Sequence, residues 1–313
     1  MNQNSQAITV LCSHLCVGEN LKPLEPKEWS ELAKQMIASK LQPGDLLQFS
    51  TEDFHRYFQF NTNQIARIQA LIDRSASISF EISKYENIGV QILTRADSAY
   101  PKKLKKRLGN SCPPLFYYSG DLNLLEMDSV GYVGSRSIDR ADIEFATQTV
   151  QKTVARGLGV VSGGAKGIDS VAQQEALRLG GSAIAFLSDS MQRKLKDPDT
   201  IQAIQNGKLL LLSVAKPDAG FNAGIAMMRN RYIYAQSNGT VIIKSDYNKG
   251  GTWSGAMENL RYEWCGTFCW NHSGYTGNVA LIKNGAIAID ETWDGNIAID
   301  VKPKEEQLSM FDS

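Results

Sequence analysis

Four short stretches combine bare backbone with cationic side chains: Gly134-Ser135-Arg136, Ser162-Gly163-Gly164-Ala165-Lys166-Gly167-Ile168-Asp169, Arg229-Asn230-Arg231 and Lys249-Gly250-Gly251-Thr252. Glycine loses more backbone entropy on folding than any other residue, so three glycines within the octet from Ser162 to Asp169 signal a backbone with a task of its own. The chemistry such stretches support is anion binding. The first N–H groups of a helix have no partner inside it and its dipole favours negative charge, so glycines at a helix start let a phosphate come close. On this reading the phosphates lie on the N–H groups of residues 163 to 167 and on Arg136, Lys166, Arg229 and Arg231, while Asp169 orients its neighbours in the first helical turn. In a regular helix Arg229 and Arg231 would project about 200° apart, so the triplet is expected at a helix start. The ordinary alternative is that the glycines pack helix against sheet and the arginines are solvated or ion-paired.

The elements that must position these stretches follow from the hydrophobic pattern. Short apolar runs at Ser129 to Val133, Gly159 to Ser162, Ser182 to Leu187, Lys208 to Val214, Thr240 to Lys244 and Thr267 to Trp270 read as strands. Between them, Ile138, Ala141, Phe145, Thr149, Val150 and Val154, and then Ile168, Ala172, Ala176 and Leu179, recur at helical spacing. Alternation of this kind predicts an α/β protein with a parallel sheet covered on both faces. Ligands in such folds sit beyond the carboxyl ends of the strands, and the four stretches fall where strand gives way to helix, so they are expected to converge on one sheet edge. Residues 1–85 read differently. Trp29, Leu32, Met36 and Ile37, and Ile65, Ile68, Leu71 and Ile72, lie at helical spacing between breaks at Gly18, Pro23, Pro26, Pro43 and Gly44. The expected organisation is a small helical domain (1–85), a sheet domain (86–300) and a flexible tail (301–313).

Composition narrows the function. Lys plus Arg and Asp plus Glu each number 33, so polyanion binding must come from local clustering and a tail-driven basic binder is excluded. Apolar runs such as Leu209 to Val214 are far short of the roughly 20 residues a membrane helix needs. The N-terminus carries no basic-then-apolar signal pattern, so a cytoplasmic protein is expected. The cysteines at 12, 16, 112, 265 and 269 are odd in number and lack C-x2-C spacing, which points to free thiols and to no metal site. Histidines at 14, 55 and 272 alone support no Ser/His/Asp or Cys/His centre.

Read in chain order, Tyr100-Pro101, Pro113-Pro114-Leu115-Phe116-Tyr117-Tyr118-Ser119-Gly120-Asp121-Leu122, Val133-Gly134-Ser135-Arg136, the Ser162 to Asp169 octet and Arg229-Asn230-Arg231 resemble the DprA/Smf DNA-processing proteins over about residues 90 to 270. The helical N-terminus is loosely similar as well. The resemblance implies an extended Rossmann-like, doubly wound and mostly parallel sheet. It also implies single-stranded DNA held in a basic pocket, a homodimer, and loading of a RecA-type recombinase in natural transformation, with no cofactor and no catalytic residue. The chain departs from the family in three places: Ala172-Gln173 stands where the family has an Ala-His pair, Lys249-Gly250-Gly251-Thr252 replaces a Gly-Ser-Leu pattern, and no winged-helix segment follows. These mark a divergent member.

Two further readings compete or add. Gly250-Gly251-Thr252 with Glu258 is similar to the P-G-G-x-G-T-x-x-E motif of nucleotide phosphoribohydrolases, although five residues stand between Thr252 and Glu258 instead of two. In that alternative the same pocket binds or cleaves a mononucleotide with Glu258 as acid or base. Gln307-Leu308-Ser309-Met310-Phe311 resembles the pentapeptide by which bacterial proteins bind the replication sliding clamp, a tail placing Leu and an aromatic into apolar pockets. The run Lys102-Lys103-Leu104-Lys105-Lys106-Arg107 reads first as a solvated helix face and second as an extension of a nucleic-acid track. Tyr232, Tyr234 and Trp253 lie near the expected cleft but read as core.

Overall fold

The computed structural model describes residues 1–297. The chain forms two compact units, one made of Met1–Tyr100, Leu108–Tyr118 and Val214–Pro217, the other of Pro101–Arg107, Ser119–Ser213 and the chain from Asp218 onward. The expected tail and its pentapeptide Gln307 to Phe311 lie outside the described residues.

The first unit contains α1 (Gln3–Cys12), α2 (Pro26–Ala38), α3 (Thr51–Phe58), α4 (Thr62–Ile72) and α5 (Ser75–Glu86). Its helix starts are written in the sequence: Ser50 with Asp53 and Asn61 with Gln64 form reciprocal capping boxes that satisfy orphan N–H groups. The apolar faces bury Leu11, Trp29, Phe54 and Leu71. Arg74 is buried with them and pairs with no carboxylate among the described residues. It donates to the carbonyls of Leu15 at 2.6 Å and Leu71 at 3.2 Å and, more closely still, of Val10. The unit also holds β1 (Gln91–Thr94), which pairs antiparallel with β2 (Leu115–Gly120), Gln91 opposite Tyr118 and Thr94 opposite Leu115.

The second unit opens with α6 (Lys102–Leu108), formed by the basic run. Two of its cations are structural: Lys103 donates to Asn238 Oδ1 at 2.9 Å, and Arg107 donates to the Ala235 and Ser237 carbonyls at 2.9 and 2.6 Å. Then come β3 (Ser129–Val133), α7 (Arg140–Ala155), β4 (Gly159–Ser162), α8 (Ile168–Arg178), β5 (Ala183–Leu187), α9 (Met191–Lys194), α10 (Pro198–Gln205) and β6 (Leu209–Ser213). The unit continues through α11 (Ala223–Gln236), β7 (Gly239–Ile242), α12 (Gly250–Tyr262), β8 (Gly266–Trp270), α13 (Thr276–Lys283) and β9 (Ile287–Ile289). The strands run parallel in the order β6-β5-β4-β3-β7-β8-β9. This is the mostly parallel, Rossmann-like sheet expected. Each of the six strands read from the sequence is present, with ends shifted by two residues at most.

The strand order carries the functional consequence. From β3 the chain winds outward through β4, β5 and β6, then returns to lay β7 on the other side of β3. Connections therefore leave β3 and β7 in opposite directions and open a crevice beyond their carboxyl ends, the place where doubly wound sheets bind ligands. The floor is rigid: Val130, Tyr132, Val160 and Val241 are fully buried, and Phe145 of α7 stacks on Trp270 at 4.2 Å.

Candidate anion-binding cleft

At the β3/β7 switch lies a cleft of about 480 Å³, bounded by residues 133–137 after β3, Ala165 and Asp169, the start and middle of α11, and residues 244–246 and 249–252 after β7. The structure thus brings together Gly134, Ser135, Arg136, Asp169, Arg229, Asn230, Lys249, Gly250, Gly251 and Thr252 on its walls. Ser162, Gly163, Gly164, Lys166, Gly167 and Arg231 are not on the walls.

The octet glycines do not clear an approach for phosphate, contrary to the expectation. The space beside Gly163 is filled by Arg229: a Cβ there would lie 1.0 Å from Nη1 and 1.9 Å from Cζ. A Cβ on Gly164 would meet Leu187 at 2.6 Å. Gly167 has φ +85° and presses on the backbone of Ser135 and Arg136, where a Cβ would lie 2.3 Å from the Ser135 carbonyl oxygen. Only glycine meets both demands at that position. The Ile168 N–H donates to the same carbonyl at 3.3 Å, so the first two motifs are fastened to each other. Nor are all the octet N–H groups free for phosphate. Gly163 N–H donates to Asp169 Oδ2 at 3.1 Å and Gly164 N–H to Ser162 Oγ at 3.3 Å. Those of Ala165, Lys166 and Gly167 have no partner among the described residues.

The arginine triplet is a second correction. It lies in the middle of α11 and not at a helix start. The 200° divergence holds in a regular helix and gives the two arginines different tasks. Arg229 points inward and pairs with Asp169 at 3.0 Å, the two side chains only 6% and 9% exposed, and its Nε has no hydrogen-bond partner among the described residues. Arg231 points to α12 and pairs with Glu258 at 2.8 Å. Asn230 between them donates to the Gly251 carbonyl at 2.9 Å, which fixes the start of α12 against α11. Lys166 is exposed away from the walls.

Among the described residues, Arg136 and Lys249 are exposed wall cations without a carboxylate partner. Lys244, which the sequence reading missed, also lines the cleft. It donates to Asp142 at 2.7 Å; burial opposes its charge, but the hydrogen bond and the Coulomb field of Asp142 outweigh this and raise its pKa. Asp142 accepts from Tyr275 as well, and burial followed by that hydrogen bond pushes the tyrosine up to about 12. Lys244 lies two residues past the end of β7, and the rule that ligands gather beyond the carboxyl ends of strands at a switch was the signal available for finding it. The cleft also carries Asp246 and the apolar Phe221 and Met227. Tyr232, Tyr234 and Trp253 are buried, as read from the sequence. Glu258 is not on the walls. The described residues contain no cluster of His, Cys, Asp and Glu that could hold a metal ion, and none of their helices is long and apolar enough to cross a membrane.

A mostly parallel Rossmann-like sheet with a cleft at its β3/β7 switch defines a doubly wound α/β protein, an architecture whose ligands sit beyond the carboxyl ends of the strands. Residues 91–297 match the family described as DNA recombination-mediator protein A, and the chain belongs to that family. It is 28% identical to the DNA processing protein DprA of Streptococcus pneumoniae over 195 residues, which are 59% of this chain and 64% of the relative. It is 29% identical to the protein Smf of Synechocystis over 181 residues, 54% of this chain and 43% of that one. Among solved structures, S. pneumoniae DprA superposes with a TM-score of 0.61 at 23% identity, covering 91% of this chain and 89% of that one. A structure of Helicobacter pylori DNA processing protein A, described for its single-stranded DNA binding mode, superposes with a TM-score of 0.51 at 26% identity over 64% of this chain and 90% of that one.

Proposed function

We propose that this protein is a non-enzymatic, cytoplasmic DNA-processing and recombination mediator whose cleft holds the phosphate backbone of single-stranded DNA. The observation that carries this reading is the pair of exposed, carboxylate-free cations, Arg136 and Lys249, on the walls of the switch-point cleft of a chain in this family. Arg229 is neutralised by Asp169 and anchors the cleft floor without adding net charge, while the Ala165 N–H, on the wall and without a partner among the described residues, adds a donor just before α8. Binding of this kind releases counterions and weakens steeply with salt. The test is the exposed double variant Arg136→Glu/Lys249→Glu. It should lose most affinity for a labelled oligothymidylate, and Arg136→Ala/Lys249→Ala should flatten the salt slope by about 2. Wild-type affinity in the folded charge-reversal variant sinks the idea.

The mononucleotide-cleaving alternative is weakened because the Glu258 carboxylate is held by Arg231 and stands off the walls. Release of free base from nucleoside monophosphates by the purified protein would restore it. In the proposed setting the working assembly is a homodimer, which light scattering checks, and its partner is a RecA-type recombinase. Gln307-Leu308-Ser309-Met310-Phe311 recruits it to the sliding clamp, and clamp retention that survives deletion of those five residues would refute this last element.

A further inference from the structure

We infer that the outward face of α6, made by Lys102, Lys105 and Lys106, is a second contact for the phosphate backbone, at the end of the sheet opposite the cleft; this rests on the strand-binding reading above, though not on the cleft cations themselves. The helix carries five cations in seven residues and no carboxylate. Leu104 is fully buried, and Lys103 and Arg107 are tied to Asn238 and to the carbonyls of Met127, Ala235 and Ser237. Asp128 faces Lys103 at 3.5 Å on that anchored side. With one side fixed, the 3.6-residue period gathers Lys102, Lys105 and Lys106 on the other, where Lys102 and Lys106 are exposed and Lys105 is half-buried. None of the three has a carboxylate partner among the described residues.

Helix stability does not explain this face. Lys105 and Lys106 in the last turn suit the helix dipole, but Lys102 in the first turn opposes it, and like charges three and four residues apart repel. Other helices of this unit offset their cations, Arg140 with Glu144 in α7 and Arg178 with Glu175 in α8. In a chain with 33 basic and 33 acidic residues, an unopposed trio on one helix face makes a local field that suits a polyanion. Its position separates it from the cleft. Lys103 and Arg107 hold α6 against residues 127 and 235–238, at the amino ends of β3 and β7 and the end of α11, whereas the cleft lies beyond the carboxyl ends of the same strands and takes in the start of α11. A helix of 14 residues is about 21 Å long, so a strand that reaches both places needs about six nucleotides more, at a rise of roughly 3.4 Å each.

The experiment titrates salt against the binding of a fluorescein-labelled oligothymidylate of about 30 nucleotides, long enough to pass both places, by fluorescence anisotropy. Lys102→Ala/Lys105→Ala/Lys106→Ala should lower the salt slope by about 2 to 3, so that the wild-type advantage shrinks by about 15- to 60-fold between about 50 and 200 mM salt. Lys22→Ala/Lys27→Ala/Lys34→Ala, which removes the same charge from exposed positions of the first unit, should keep the wild-type slope. Adding the α6 substitutions to Arg136→Ala/Lys249→Ala should lower the slope by the same step again. A wild-type slope in the folded α6 variant, the result expected if the face meets an acidic protein instead, or an equal loss in the Lys22/Lys27/Lys34 control, overturns the second contact alone. A slope lowered by the α6 substitutions but not by those at Arg136 and Lys249 overturns the cleft reading alone. Wild type that does not bind the strand overturns both.

Discussion

Gly163→Ala is a one-carbon change with a large expected effect, because the methyl group would occupy the place of a guanidinium. The new Cβ would stand 1.0 Å from Arg229 Nη1, 1.9 Å from Cζ and 2.5 Å from Asp169 Oδ2. The Gly163 backbone does not require positive φ, so alanine is conformationally allowed and itself restricts the unfolded chain by about 0.4–1 kcal/mol. The penalty lies in the displaced ion pair. Arg229 and Asp169 are both buried, and parting such a pair costs about 3–5 kcal/mol because two charges are left without partners. The net expectation is a loss of about 2–4 kcal/mol in urea unfolding followed by tryptophan fluorescence. The second unit reports through Trp253, Trp264, Trp270 and Trp293. A thermodynamic cycle isolates the cause: in an Arg229→Met background the same glycine substitution should cost under about 1 kcal/mol. A Gly163→Ala protein within about 0.5 kcal/mol of wild type, or an equal cost in both backgrounds, would refute the steric account.

Arg74→Met should destabilise the first unit by about 3 kcal/mol, since it strips charge-assisted donors from the buried carbonyls of Val10 and Leu15. Thermal melts check this, with Arg140→Met, whose pair with Glu144 lies in solvent, as the neutral control. Stability should also fall at alkaline pH. Burial pushes the Cys265 thiol up to about 11 and Cys269 to about 12, from 9.0, while burial and the Asp142 hydrogen bond take Tyr275 from 10.0 to about 12. The folded state therefore keeps protons that the unfolded chain releases, so this contribution is full below about pH 9 and disappears between about 9 and 12. The melting temperature should drop from pH 8 to 11, and a flat profile would count against these burials.

Much of the fold is legible in the sequence because its signals are local. Apolar runs bounded by turns gave β3 to β8 nearly to the residue, and Ser50 and Asn61 announce their helices through side chains three residues away. Strands β1, β2 and β9 are less legible. Ile287–Ile289 is three residues long with two of them exposed, and its strand character comes from pairing with β8. The switch-point cleft was legible only as a coincidence of motifs after strands. The inference from about 200° of divergence to a helix start failed because it assumed that both arginines serve one ligand.

The sequence by itself determined the alternation of strand and helix, the neutral overall charge, and the four stretches that meet near one sheet edge, because each depends on residue type and near-neighbour spacing. Which of those residues line the cleft was decided only by tertiary structure. Gly163 and Arg229 stand 60 positions or more apart in the chain yet compete for one ångström of space, and Arg136 meets Phe221 only because β7 returns beside β3. Burial and close approach are properties of the packed whole, so two arginines separated by one residue become a buried anchor and a helix-to-helix tie.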